Sequence, residues 1–257
     1  MAGLSGTAGV SGTAGLAVEV RGLRKSFGPN KVLKGVDLAV PTGSVFALLG
    51  QNGAGKTTII SILTTLRAPS GGSATVAGYD VCRQADQVRQ VITVTGQRVS
   101  IDPVLTGREN LALVARLRHQ PSPKRVAADL LSQFGLTQAA DKPAATYSGG
   151  MGRRLDIAMS LIGQPRVVFL DEPTTGLDPA SRREVWAAIE TMAESGSAVL
   201  LTTQHMEEAA HLARQIAVLH QGRIIAQGDH QAILVAGGAD NLEDAFLNLA
   251  SSGREMK

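Results

Sequence analysis

The chain holds a single cysteine, Cys82, among 257 residues. An intramolecular disulfide is excluded, and one lone thiol fits a reducing compartment. Aromatic residues make up only 3% of the chain, so small and branched aliphatic side chains must fill the core. No apolar run approaches the ~20 residues that a bilayer-spanning helix needs. Residues 1–20 lack the basic start and leucine-rich centre of a secretion signal. Charge is nearly balanced, with 25 Lys and Arg against 22 Asp and Glu, and no basic run is present. That balance argues against a nucleic-acid partner. Together these absences predict a soluble, cytoplasmic chain that reaches a membrane only through a partner.

What is abundant is glycine, 29 residues in all, and a hydrophobic fraction of 44%. Residues 1–17 contain a near repeat, Ser-Gly-Thr-Ala-Gly at 5–9 and again at 11–15. Such composition buries too little apolar surface to offset backbone ordering, and predicts a flexible tail without chemistry. Residues 18–230 read as one domain. In it, an alternating edge strand at 17–21 is followed by a strand at 32–40, an apolar strand at 45–49 and a turn at 70–73 before a short strand. A β-branched strand at 91–95 comes next. Residues 109–134 read as two helices parted by Pro121-Ser122-Pro123, with Thr106 and Glu109 at capping-box spacing. These two helices stand apart from the β-rich core. Apolar strands at 167–170 and 198–201 and a terminal hairpin across Gln221-Gly222 complete the domain. Residues 231–257 read as a short tail with one amphipathic turn at 242–249. Strands alternating with helices predict an α/β fold with a mainly parallel sheet and a small antiparallel layer beside it.

The chain is organised around Gly50-Gln51-Asn52-Gly53-Ala54-Gly55-Lys56-Thr57, which fits G-x-x-x-x-G-K-[ST] and is followed by Thr58. A buried strand precedes it and an apolar helix follows, the context that this motif requires. Glycines let backbone N–H groups approach an anion closely, and the helix N-terminus adds partial positive charge. Lys56 is placed to reach the β- and γ-phosphates of a nucleotide, and the Thr57 hydroxyl to bind Mg²⁺. A second element, Asp171-Glu172, puts two adjacent carboxylates at the end of a hydrophobic strand. Asp171 is suited to hold Mg²⁺ and Glu172 to polarise an attacking water as general base.

In this order the motifs resemble the ATP-binding subunits of ABC transporters, and the resemblance covers residues 18 to about 230. Residues 50–57 look like the Walker A loop and 167–171 like Walker B, with Glu172 as catalytic glutamate. Gln97 looks like the Q-loop glutamine, a contact to the metal or to the attacking water, Ser148-Gly149-Gly150-Met151 like the signature, and Gly176-Leu177-Asp178 like the D-loop. The resemblance implies a P-loop NTPase fold: a RecA-like parallel sheet core, an antiparallel β layer and an inserted α-helical subdomain at about residues 98–154. It implies ATP and Mg²⁺ as ligands, with Phe27 stacked on adenine. It also implies a head-to-tail dimer, in which Ser148, Gly149 and Gly150 contact the nucleotide of the opposite subunit. A transmembrane permease on a separate chain would hold the pair at the cytoplasmic side of the membrane.

Two positions depart from the family pattern. Gly152 stands inside the signature helix. At the switch position the chain reads Thr203-Gln204-His205-Met206-Glu207-Glu208. Aligned on the two glutamates, the switch is Gln204 rather than His205, because a one-residue shift past a strand end turns the side chain to the other side. A glutamine there is reminiscent of daunorubicin-resistance-type exporters. The favoured expectation is an ATPase subunit that powers export of a drug or hydrophobic compound. The alternatives are a soluble ABC ATPase not tied to transport, and an importer ATPase.

Overall fold

The computed structural model describes residues 15–96 and 99–255. Most of the repeat-bearing tail, and Gln97, lie outside the described residues. Two sheets carry the fold. The first is antiparallel, built from β1 (Leu16–Phe27), β2 (Asn30–Pro41), β4 (Gly71–Val76) and β5 (Tyr79–Asp80) in the order β2-β1-β4-β5. The segment expected as an edge strand is therefore interior, with β2 and β4 hydrogen-bonded on its two sides. The expected turn at 70–73 is largely strand: Ser73 already pairs with Arg21.

The second sheet has six strands. β3 is Val45–Leu49, β6 is Ile92–Thr95, β7 is Val167–Asp171 and β8 is Ala198–Thr203; β9 (Gln215–His220) and β10 (Arg223–Gly228) close it. The order is β10-β9-β3-β8-β7-β6. Pairing is parallel from β9 through β6, and β10 is antiparallel to β9. β3, β7 and β8 are buried along their whole length, so their apolar runs are continuous rather than alternating. Successive residues feed opposite faces. Val45, Ala47, Leu49, Val168 and Leu170 belong to one core, while Phe46, Leu48, Val167 and Phe169 belong to the other, which packs against the antiparallel sheet.

Nine helices surround these sheets among the described residues. α1 is Lys56–Leu63, α2 Ala85–Val91, α3 Gly107–Leu117, α4 Pro123–Gln133 and α5 Gly149–Ser160; α6 is Pro179–Glu194, α7 Met206–Leu212, α8 His230–Gly237 and α9 Leu242–Glu255. The capping box before α3 is formed in full, and Pro123 opens α4 at its first turn. α2 takes over Val91, which the sequence reading placed in a strand. The largest difference lies past residue 230. The expected tail with one amphipathic turn is two helices, and Ile233, Leu242, Ala245 and Phe246 enter the main core.

Candidate functional site

Parallel strands bring their following loops to one end, and open α/β sheets bind ligands outside the carboxyl ends of their strands. Here β3 feeds residues 50–57, β7 ends on Asp171, and β8 is followed by Gln204. Because β8 lies between β3 and β7, the phosphate loop and the carboxylate pair are one strand apart despite their separation in sequence. Asp171 pairs with Thr202 in the ladder.

The loop has the shape of a cradle. Gly55 caps α1 with a left-handed backbone, φ 114, and Gly53 is left-handed too, φ 79. A Cβ on Gly50 would come within 2.6 Å of the Leu219 carbonyl oxygen. The turn of the terminal hairpin braces the loop from behind: the Gly222 N–H donates to the Ala54 carbonyl at 3.1 Å, and the Gly222 carbonyl accepts from Lys34 at 2.9 Å. Lys56 is 4% exposed. Its Nζ donates to the Gly50 carbonyl at 2.7 Å and the Gln51 carbonyl at 3.2 Å, and lies 3.2 Å from Glu172 Oε1.

Asp171 and Glu172 are both buried and have different partners. Thr57 Oγ1 donates to Asp171 Oδ2 at 3.0 Å, and Thr202 Oγ1 donates to Asp171 Oδ1 at 2.5 Å. The Glu172 N–H donates to both the carbonyl and the hydroxyl of Thr202, each at 3.1 Å. Thr175 Oγ1 donates to Glu172 Oε2 at 3.3 Å. A cleft of about 350 Å³ opens among Asn52, Gly53, Gly55, Lys56, Thr57, Thr58 and Glu172, with Val32 at its rim. A donor-rich loop around a buried ammonium fits a polyphosphate. The hydroxyl and carboxylate of Thr57 and Asp171 fit a hard cation that takes few protein ligands.

Phe27 is 40% exposed and is not a core side chain. Lys25 Nζ and Arg67 Cζ each sit 5.2 Å from its centroid. Phe27 shares a second cleft with Thr57, Thr58, Ser61, Leu66 and Arg67, which places it beside the phosphate loop. Ser148 caps α5 by accepting from the Met151 N–H at 3.2 Å. Ser148 and Gly149 are exposed, whereas Gly150 is buried against Ser181. None of the three lines the phosphate-loop cleft of its own chain. Asp178 caps α6, accepting from the Ala180 and Ser181 N–H groups at 3.0 Å and from Ser181 Oγ at 2.6 Å. These donors hold its carboxyl below the usual range, the Ser181 hydroxyl foremost. Gln204 and His205 both line a different cavity, with Arg182, His230 and Asp240, and are not brought into the phosphate-loop cleft.

Two site residues escaped the sequence reading. Thr202 carries the bonds that join Asp171 to Glu172; its sign was a polar residue continuing the apolar run 198–201. Arg153 is 5% exposed on α5; its sign was an opposite-charge pair, Arg153 and Asp156, at a three-residue spacing that puts both on one face of the helix.

A parallel sheet, a glycine cradle with a buried lysine and a carboxylate pair one strand away define the P-loop nucleotide-binding ATPases. The sequence model described as ABC transporter matches residues 33–175. The chain is 49% identical over 243 residues to the daunorubicin resistance ATP-binding protein DrrA2 of Streptomyces coeruleorubidus, covering 94% of this chain and 76% of that one. It is 50% identical over 214 residues to the daunorubicin/doxorubicin resistance ATP-binding protein DrrA of Streptomyces peucetius, covering 82% of this chain and 65% of that one. A solved structure titled as the ATP-binding subunit of an ABC transporter superposes with TM-score 0.79 at 26% identity, covering 91% of this chain and 99% of that one. The chain belongs to the ABC transporter family, as an ATP-binding and ATP-hydrolysing subunit.

Proposed function

We propose that this chain powers export of a drug or hydrophobic compound through a separate permease, at the cytoplasmic side of the membrane, as one half of a head-to-tail pair of ATPase subunits. The observation that carries the chemical part is the fixed order Thr57–Asp171–Thr202–Glu172 beside the buried Lys56. The cargo is inferred from relatives named for daunorubicin resistance. No helix among the described residues is long and apolar enough to cross a membrane.

In this reading the N–H groups of residues 51–58 and the Lys56 ammonium grip the phosphates of ATP. Thr57 and Asp171 would hold Mg²⁺, with Gln97 as a further contact, and the ion would supply charge neutralisation at the phosphate oxygens. Glu172 accepts a proton from the attacking water. Phe27 stacks on the base. Ser148, Gly149 and Gly150 of a second copy close the site from the opposite side, since the N-terminus of a helix suits a phosphate. Asp178 lies on the same face at the start of α6. Gln204 lines a separate cavity in this structure; brought to the γ-phosphate when ATP is bound, it would contact it through hydrogen bonds alone, because a glutamine carries no titrating proton.

Two measurements test this reading. Replacing Glu172 by Gln should keep ATP binding and abolish turnover, trapping a nucleotide-dependent dimer visible by size-exclusion chromatography. A strain expressing the chain with its neighbouring permease should accumulate less anthracycline than the deletion strain, and Glu172→Gln should remove that difference. Unchanged accumulation in the deletion strain would sink the export reading. Should Gln204→Ala keep full turnover while His205→Ala abolishes it, the switch assignment is overturned.

A further inference from the structure

Arg153 lies two residues past the signature, on the same helix, and its guanidinium is almost wholly occupied by backbone. Nε donates to the Pro173 carbonyl and Nη1 to the Gly96 carbonyl, both at 2.7 Å, and Nη2 to the Glu172 carbonyl at 3.4 Å. Nη1 also meets Asp156 Oδ2 at 3.3 Å. The other oxygen of Asp156 accepts from the Ser100 N–H at 3.1 Å. Both side chains are about 95% buried. A helix thus reaches into two loops at once: one leaving β6, the other leaving β7 directly after the carboxylate pair.

Glu172 has φ 50, in the left-handed region that a bulky residue seldom adopts. Residues that precede proline are also held away from helical backbone, and Pro173 follows it. Such a conformation persists only where its surroundings over-determine it. The Thr202 bonds fix the amide on its N-terminal side. On its C-terminal side, Arg153 supplies the donors to the Glu172 and Pro173 carbonyls.

We propose that Arg153, held by Asp156, is a positioning residue for Glu172: it fixes the peptide that aims the carboxylate and ties that peptide to the signature helix. This rests on the reading of Glu172 as the base. Burial lowers the proton affinity of Arg153 and raises that of Asp156, each opposed by the other; an arginine nonetheless stays charged. Truncating Arg153 alone would strand a buried carboxylate, so the informative variant changes both partners.

The test uses the full chain and measures ATP affinity and steady-state hydrolysis separately. Arg153→Met/Asp156→Asn should lower kcat about tenfold or more, since small misplacements of a reacting group cost that much. ATP affinity should stay within about twofold. Arg153→Lys, which keeps the charge but loses the fork, should fall between the two. Added to Glu172→Gln, the Arg153 change should lower the residual rate no further, as expected for residues that act as a unit. Turnover within about twofold of the parent in both Arg153 variants overturns the proposal, and so does a parallel loss of ATP affinity, because either outcome means a purely structural brace. If the double variant fails to fold by circular dichroism, Arg153→Lys decides. Normal turnover in Glu172→Gln would fell the assignment of the base itself. Loss there with normal Arg153 variants would fell only the positioning role.

Discussion

At the residue scale, two substitutions of the same kind should have opposite effects. Gly152 sits inside α5, and an added Cβ would touch only Ile101 Cδ1 at 3.6 Å, an ordinary contact. Alanine there removes the conformational freedom that glycine carries in a helix. Gly152→Ala should therefore raise stability by about 1 kcal/mol, measurable as a higher denaturant midpoint with an unchanged slope. Gly50→Ala drives a Cβ to 2.6 Å from the Leu219 carbonyl oxygen, and that oxygen belongs to β9, a strand paired on both sides. ATP binding measured by fluorescence or calorimetry should be lost. Thr202 is the third test. Replacing it with Val removes the hydroxyl that donates to Asp171 and accepts from Glu172. Stability should fall by about 1–3 kcal/mol, because a buried carboxylate loses a donor, and turnover should fall with it while ATP affinity holds.

At the element scale, what the sequence made legible depended on whether a local rule had a competitor. The capping box at Thr106 is satisfied within four residues, and nothing distant can overrule it. Thr106→Ala should cost about 1 kcal/mol, read by thermal unfolding, because the Glu109 N–H loses its acceptor. The strands β3, β7 and β8 were legible because a buried parallel strand needs a continuous apolar run. β1 was recognised as a strand, but its interior place was hidden. Alternation reports which face is buried, whereas edge or interior depends on partners far along the chain. The short helices α2 and α7 have seven residues each, too few for a period to show. α8 is bounded by readable marks: Asp229 caps its start, and Gly238 ends it with φ 58.

At the scale of the whole molecule, the loop, the carboxylate pair and the capped signature helix were legible as motifs, and what joins them was not. Thr202 and Arg153 work through ladder register and helix packing, neither of which leaves a spacing in the sequence. The same holds for the region past residue 230. Its two helices bury Ile233, Leu242, Ala245 and Phe246 against the core beneath the parallel sheet. A chain ended after Gly228 would expose those contacts, at roughly 25 cal/mol for each Å² of apolar surface uncovered. It should unfold at markedly lower temperature and enter inclusion bodies when expressed, while a chain ended after Ala250 should remain soluble.

The hairpin turn that backs the phosphate loop also sets an order in time. Gly222 holds Ala54 and Lys34 in place through its own N–H and carbonyl, yet the ribosome makes it long after the loop it supports. Synthesis proceeds at about 5–20 residues per second, so a nascent chain passes many seconds with its glycine loop complete and unbraced. Nucleotide capture then waits until translation has passed Gly222. Ribosome-bound chains arrested before Gly222 has emerged should fail to retain ATP, and those arrested well beyond it should retain it.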